Sequence, residues 1–239
     1  LKITDKPLPH LKNLDLAKLQ SDLWESGFAI TPPLLSKDEC HSLIQLFSND
    51  AIYRKVVDMK RHGFGKGIYK YFSYPLPELV AELRESLYPC FVDVANGWNK
   101  ALGKEETFPA TLKSFLEYCH NAGQNRPTPL LLKYEPGDFN CLHQDIYGKI
   151  AFPLQAALFL SEPEEDYTGG EFVLVEQIPR AQSRAHVLRP KTGQMIVFTN
   201  QEHPVEGKRG YYRAKIRHGV STLTAGNRYT LGVIFHDAE

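Results

Sequence analysis

His143, Gln144 and Asp145 stand together as an H-x-D triplet; His218 lies far downstream, and Arg228 follows it closely. Two imidazoles and one carboxylate make the facial set that holds non-heme Fe(II) and leaves coordination positions open. In a strand, residues i and i+2 share a face, so His143 and Asp145 can reach one ion while Gln144 points away. A guanidinium near such a set can grip a dicarboxylate through a two-pronged hydrogen bond. The residue types therefore suggest oxygen chemistry with Fe(II), dioxygen and 2-oxoglutarate.

The third metal ligand has four candidates: His186, His203, His218 and His236. His218 is favoured, with His203 second. The run His218-Gly219-Val220 ends one strand, and Arg228-Tyr229-Thr230-Leu231 begins the next. A hairpin would bring the two strands side by side. Arg228 sits among Tyr229, Leu231, Val233 and Phe235. An arginine buried there needs a negative partner, either an internal acid or the far carboxylate of a bound co-substrate. Tyr134 can donate its hydroxyl to that co-substrate or simply pack.

These residues need a scaffold, and the chain is long enough to build one. At 239 residues it can bury roughly 70–75% of its unfolded surface. The formal net charge is zero, so bulk charge selects neither nucleic acid nor membrane. The local distribution is less even. Lys and Arg crowd the stretch from Gln177 to His218, where Glu202 and Glu206 stand nearly alone as acids. The cysteines Cys40, Cys90, Cys119 and Cys141 are widely spaced and match no zinc pattern. They read as reduced thiols of a cytoplasmic protein. No apolar run approaches the ~18 residues of a membrane span, and no basic leader precedes an apolar stretch.

Residues 1–13 read as a polar arm with Pro7 and Pro9. Leu16, Leu19 and Leu23 place a short helix over Asp15–Glu25, stopped by Gly27. Phe28–Ile30 reads as a strand before Pro32-Pro33. Ser36 and Glu39 form a capping box that opens a helix running to Phe47. Longer helical spacing covers Leu79 to about Leu102, and a shorter one Thr111–His120. After Pro127 the pattern changes to short apolar runs broken by turn residues. The runs are Leu130–Tyr134, Leu154–Leu160, Glu171–Val175, His186–Leu188, Gln194–Phe198, Tyr211–Ile216 and Tyr229–Phe235. The expected fold is α+β, a single domain over 1–239. A helical region with a lid (1–126) packs on a double-stranded β-helix, or jelly-roll, core (127–239).

Several motifs together resemble the Fe(II)/2-oxoglutarate dioxygenase superfamily, in particular its prolyl-hydroxylase-like branch. They are Tyr134–Gly137, His143–Asp145, Gly169-Gly170-Glu171-Phe172, Gly193–Phe198, His218-Gly219-Val220 and Gly226–Tyr229. The resemblance implies His143, Asp145 and His218 as iron ligands, and Arg228 with Tyr134 at 2-oxoglutarate. It implies hydroxylation of a substrate with release of succinate and CO2. A second segment, Met59–Gly65 followed by Tyr69, Tyr71, Tyr74 and Pro75, resembles the nucleotide-recognition lid of AlkB-type dealkylases. It also resembles a bacterial oxygenase group described as acting on damaged DNA. The AlkB pattern has a second arginine where this chain has Ile234, and an asparagine where it has Leu132.

Read physically, that lid alternates Lys60, Arg61, Lys66 and Lys70 with Phe64, Tyr69, Tyr71, Phe72 and Tyr74. Basic groups can hold phosphates while aromatic rings stack bases. The basic stretch Lys208–Arg217, with Tyr211 and Tyr212, offers the same combination. Substrate contacts are therefore expected at Lys60, Arg61, Lys66, Tyr69 and Tyr71, with alkylated or modified nucleic acid as the substrate and DNA repair as the setting. The alternatives are a prolyl or other peptide side chain, and a jelly-roll binding module without catalysis. No membrane partner is expected, and the oligomeric state is open.

Overall fold

The computed structural model describes residues 14–145 and 148–239, so the polar arm expected over 1–13 lies outside the described residues. Four α-helices appear among them: α1 (Leu16–Ser26), α2 (Lys37–Leu46), α3 (Glu78–Ala101) and α4 (Leu112–Asn121). Asp15 caps α1, and the expected box at Ser36 is formed: Glu39 N donates to Ser36 Oγ at 3.2 Å and Ser36 N to Glu39 Oε2 at 2.7 Å. The amphipathic spacing of α3 sets Leu83, Leu87, Phe91 and Trp98 into the core. Pro89 lies inside α3, and burial of that face holds the helix through it.

A seven-stranded sheet carries the helices. Its strands are β1 (Phe28–Ile30), β2 (Tyr53–Asp58), β4 (Ile68–Phe72), β5 (Leu130–Tyr134), β7 (Leu154–Phe159), β11 (Met195–Thr199) and β15 (Arg228–Ile234). Their order is β1-β11-β7-β15-β5-β4-β2. A second sheet holds β3 (Gly65–Lys66), β6 (Phe139–His143), β9 (Phe172–Gln177), β10 (Arg184–Leu188) and β13 (Gly210–Val220), ordered β10-β9-β13-β6-β3. The first half of the long β13 pairs instead with β12 (Glu202–Gly207). A small pair, β8 (Tyr167–Gly169) with β14 (Leu223–Gly226), completes the set. This is the expected α+β double-stranded β-helix.

The central strands explain why simple alternation is missing from their sequences. Every residue of β7 and β11 is buried. Ala156, Leu158, Met195 and Val197 face the helices, whereas Ala157, Phe159, Ile196 and Phe198 face the other sheet. A strand covered on both sides reads as a continuous apolar run.

Three expectations need correction. The lid is not part of a purely helical region: β4 pairs with β5 in the large sheet and β2 pairs with β4, so the segment extends that sheet to its edge. Alternation along β4 buries Phe72 and Lys70, and Lys70 Nζ bonds Asp50 Oδ1 at 2.6 Å. Tyr74 is likewise structural. It accepts from Arg84 Nη1 at 3.0 Å and donates to Asp237 Oδ2 at 2.9 Å. Second, His218 and Arg228 are not hairpin neighbours, because β14 intervenes and carries the chain from one sheet to the other. Third, β6 ends at His143, so Asp145 lies beyond the strand.

Arg84 and Asp237 tie α3 to the end of β15. The guanidinium bonds Asp237 Oδ1 at 2.7 Å and the carbonyls of Ile234 and Phe235 at 2.9 and 2.8 Å, with both side chains buried. Removing one partner leaves the other charge buried and unpaired. Asp237→Ala should therefore cost about 3–5 kcal/mol in denaturant unfolding. A loss under about 1 kcal/mol would mean that the backbone carbonyls alone satisfy Arg84.

Candidate metal centre

His143, Asp145 and His218 come together between the two sheets, their candidate ligand atoms all within 4.8 Å of one another. His143 and His218 are direct cross-strand partners on β6 and β13. Their rings lie 4.1 Å apart, centroid to centroid. The local register depends on a bulge. His218 pairs with His143 and Val220 with Asn140, so Cys141 and Leu142 both oppose Gly219. A Cβ on Gly219 would meet the Asn140 carbonyl at 2.7 Å, so glycine allows the close approach. The bulge turns His143 inward. Gln144 points away from the cluster, donating to the carbonyls of Gln201 and Ile216 at 2.8 and 2.9 Å.

The hydrogen bonds orient each donor. His143 Nδ1 donates to the Cys141 carbonyl at 2.7 Å, which leaves Nε2 with its lone pair toward the site. Burial, then the neighbouring His218, lowers the His143 pKa and favours the neutral, ligating form. Asp145 is drawn the other way. Burial alone would raise its pKa, but His218, His143 and the hydrogen bond from Gln155 outweigh that and hold the carboxyl well below its ordinary range. Gln155 Nε2 donates to Asp145 Oδ2 at 2.7 Å from β7, so a bond from the opposite sheet fixes the carboxylate.

Asp145 oxygens lie 3.6 Å from His143 Nε2 and 3.2 Å from His218 Nε2. Two atoms each about 2.1 Å from one ion, at right angles, would stand about 3 Å apart. The donor set and its spacing therefore fit a divalent transition metal with open positions.

The cluster opens into a cavity of about 410 Å³ that also holds Arg228, Tyr134, Tyr69 and Tyr71. Arg228 and Tyr134 are cross-strand partners on β15 and β5. The Arg228 guanidinium is buried over the rings of Phe159, Tyr134 and Tyr167, at 5.1, 5.4 and 6.0 Å from their centroids. Among the described residues no carboxylate forms an ion pair with it, and its Nε has no hydrogen-bond partner. Gly170, at φ 62°, makes room: its Cβ would come within 3.2 Å of the Arg228 side chain. Burial pushes Tyr134 up to about 12 against the pull of Arg228, so its hydroxyl keeps its proton at neutral pH.

The remaining candidates separate. His203 is wholly buried beside Trp98 and 3.3 Å from Glu176 Oε1. His186 is 4.0 Å from the same carboxylate, and His236 accepts from Phe152 N at 3.2 Å. All three have structural partners away from the cluster. Tyr69 and Tyr71 line the cavity, whereas Lys60, Arg61 and Lys66 are exposed on the turn and short strand around Gly63 and Phe64, which do line it. The sequence reading missed Gln155. Its signal was the one polar side chain inside the apolar run Leu154–Leu160.

The architecture is that of the Fe(II)/2-oxoglutarate oxygenases. Solved structures sharing it include a Pseudomonas putida prolyl-4-hydroxylase, with a TM-score of 0.55 and 16% identity over 94% of this chain and 99% of that one. A Burkholderia pseudomallei oxidoreductase of the 2OG-Fe(II) oxygenase family matches with the same TM-score and identity, over 93% and 92%. The chain belongs to the Oxygenase-NA family, described as "Oxygenase, catalysing oxidative methylation of damaged DNA", whose model matches residues 67–238. Relatives in two strains of Mycobacterium tuberculosis, the uncharacterized proteins Rv2227 and MT2286, are each 48% identical over 167 residues, or 70% of this chain and 72% of theirs.

The Gln155 bond makes a sharp expectation. Gln155→Met keeps the length but loses the donor, and should weaken binding of Mn(II), an EPR-visible stand-in, about 10–100-fold. Thermal stability of the metal-free protein should change little. Unchanged Mn(II) affinity would mean that Gln155 does not orient Asp145.

Proposed function

We propose that the chain is an Fe(II)- and 2-oxoglutarate-dependent dioxygenase acting on modified bases in nucleic acid. His143, Asp145 and His218 would hold Fe(II). Arg228, with Tyr134 as a neutral donor beside it, would receive the far carboxylate of 2-oxoglutarate. The observation that carries this reading is the buried Arg228: a guanidinium that, among the described residues, has no acidic partner, in the cavity that holds the metal cluster. A bound carboxylate supplies the missing charge and both prongs of the hydrogen bond.

When bound, the metal and co-substrate supply the oxidising power to hydroxylate a C–H bond, with release of succinate and CO2. The protein's own residues do the rest. Gln155 holds Asp145 in one orientation, and the Cys141 carbonyl holds His143 in its ligating tautomer. Burial of Asp145, His218, Arg228 and Tyr134 shields that end of the cavity from water. Hydroxylation of an alkyl group on a base nitrogen yields a carbinol that sheds an aldehyde, so this chemistry would remove alkyl groups.

The family description supports nucleic acid as the substrate. So does the rim, where Lys60, Arg61 and Lys66 are exposed beside Phe64, and the Tyr69 and Tyr71 rings line the cavity behind it. Phosphates can meet the basic groups while an extruded base enters among the rings. A peptide substrate would leave that basic rim without a role.

Two outcomes are expected. Arg228→Lys keeps the charge but loses the fork, so KM for 2-oxoglutarate should rise with iron binding intact. Arg228→Ala should cost more, about 2–5 kcal/mol. Unchanged KM in both variants would remove Arg228 from the co-substrate site. Single-stranded oligonucleotide should bind with affinity that falls steeply with salt. Replacing Lys60, Arg61 and Lys66 together with Ala should flatten the slope by up to about three contacts' worth. Absence of salt-dependent binding, together with turnover stimulated by a proline-rich peptide, would replace the base reading with a peptide one.

A further inference from the structure

Along the inner face of β15 the residues run Arg228, Thr230, Gly232, Ile234, and along β5 beside it Tyr134, Leu132, Leu130; all line the cavity. Polarity fades along both strands, from the Arg228 and Tyr134 end to the Ile234 and Leu130 end. Phe64 and Leu142 continue the apolar wall toward solvent, where both are nearly half exposed. Asp145 is the sole carboxylate lining the cavity among the described residues, and it belongs to the metal cluster.

From this we propose that the substrate group admitted for reaction is uncharged, and that the cavity discriminates against a cationic one. The proposal rests on the reading of the site just given. With the site loaded, the ion and Arg228 balance Asp145 and the two carboxylates of 2-oxoglutarate. A cationic alkylated base would then enter a neutral cavity and find no counter-charge, and burying an unpaired charge is costly.

The tyrosines do not supply an open cage. Tyr69 and Tyr71 meet edge to face with centroids 5.5 Å apart, but the Arg54 guanidinium already lies 4.7 Å from the Tyr71 centroid. A second cation at Tyr71 would be repelled by the first. Nearby acids are engaged as well: Asp58 lies 3.4 Å from Arg61 and caps the Lys60 N–H, and Glu135 bonds Lys133 at 2.5 Å. A neutral planar ring carrying an alkyl group avoids that charge penalty and packs on Leu132, Ile234 and the tyrosine rings.

Two isomers test this directly. N6-methyladenosine is neutral at pH 7 and 1-methyladenosine is a cation. Their binding is measured by calorimetry on full-length protein loaded with Mn(II) and a non-decarboxylating analogue of 2-oxoglutarate. The neutral isomer should bind at least tenfold more tightly. Ile234→Glu should cut that ratio at least tenfold by giving the wall a charge, and Leu132→Asp does the same job if Ile234→Glu fails to fold. Equal or tighter binding of the cation to wild-type protein would overturn the proposal. If neither nucleoside binds, the nucleobase reading fails, and the pair 3,3-dimethylbutanol and choline decides the charge question alone. Preference for the alcohol would uphold a charge-excluding cavity. Preference for choline, or binding of neither, would overturn it.

Discussion

Two opposite charges sit in one cavity and do not meet. The Asp145 carboxylate reaches in from beyond β6, and the Arg228 guanidinium from β15 in the facing sheet. In contact, such a pair would gain about 4 kcal/mol even at a moderate effective dielectric. The strands hold them apart. Arg228 is laid over three aromatic rings, and Asp145 is pinned by Gln155 and faced by two histidines. Arg228 thus faces the cavity rather than an acid among the described residues, and Asp145 is held beside the two histidines as one of three metal-ligating groups. One site suits a cation and the other an anion, and their separation defines a space in which both can bind.

That separation is expensive, and the core around it supplies the stability. The central strands β7 and β11 of the large sheet are buried on both faces, with helices on one side and the second sheet on the other. Aromatic side chains of α3 and α4 interlock with Phe152 and Phe235, at centroid distances of 5.1–5.9 Å. The Arg84–Asp237 pair fastens the same helix to the end of the Arg228 strand. Rigidity in these layers lets a cavity wall stay open and polar at one end while it is apolar at the other.

Much of this was legible in the sequence, for physical reasons. The H-x-D triplet, His218 and Arg228 stand out because two imidazoles, a carboxylate and a guanidinium at this spacing match a metal and dicarboxylate set, and an arginine beside an apolar run needs a partner if buried. The box at Ser36 marked one helix start, leucine spacing marked another, and turn glycines marked the main strands. What escaped was set by tertiary pairing. The strands β6, β12 and β14 are short or half exposed and carry little periodicity of their own. The lid read as a contact surface because its alternation of basic and aromatic residues suits both a binding surface and a sheet strand. Lys70, Phe72 and Tyr74 turned out to be structural, whereas Tyr69 and Tyr71 reached the cavity. Gln155 was hidden because one amide in an apolar run announces a role only when its partner is known.

The central claim is that one metal ion and one 2-oxoglutarate bind together, the ion at His143, Asp145 and His218 and the far carboxylate at Arg228. Anaerobic titration of Fe(II) and 2-oxoglutarate, followed by visible absorption, reads this out. A metal-to-ligand charge-transfer band arises only when the keto acid chelates the iron. The account predicts a band that saturates at one equivalent of each per chain and is absent in His218→Ala protein. No band, or a band of full strength without His218, would contradict it.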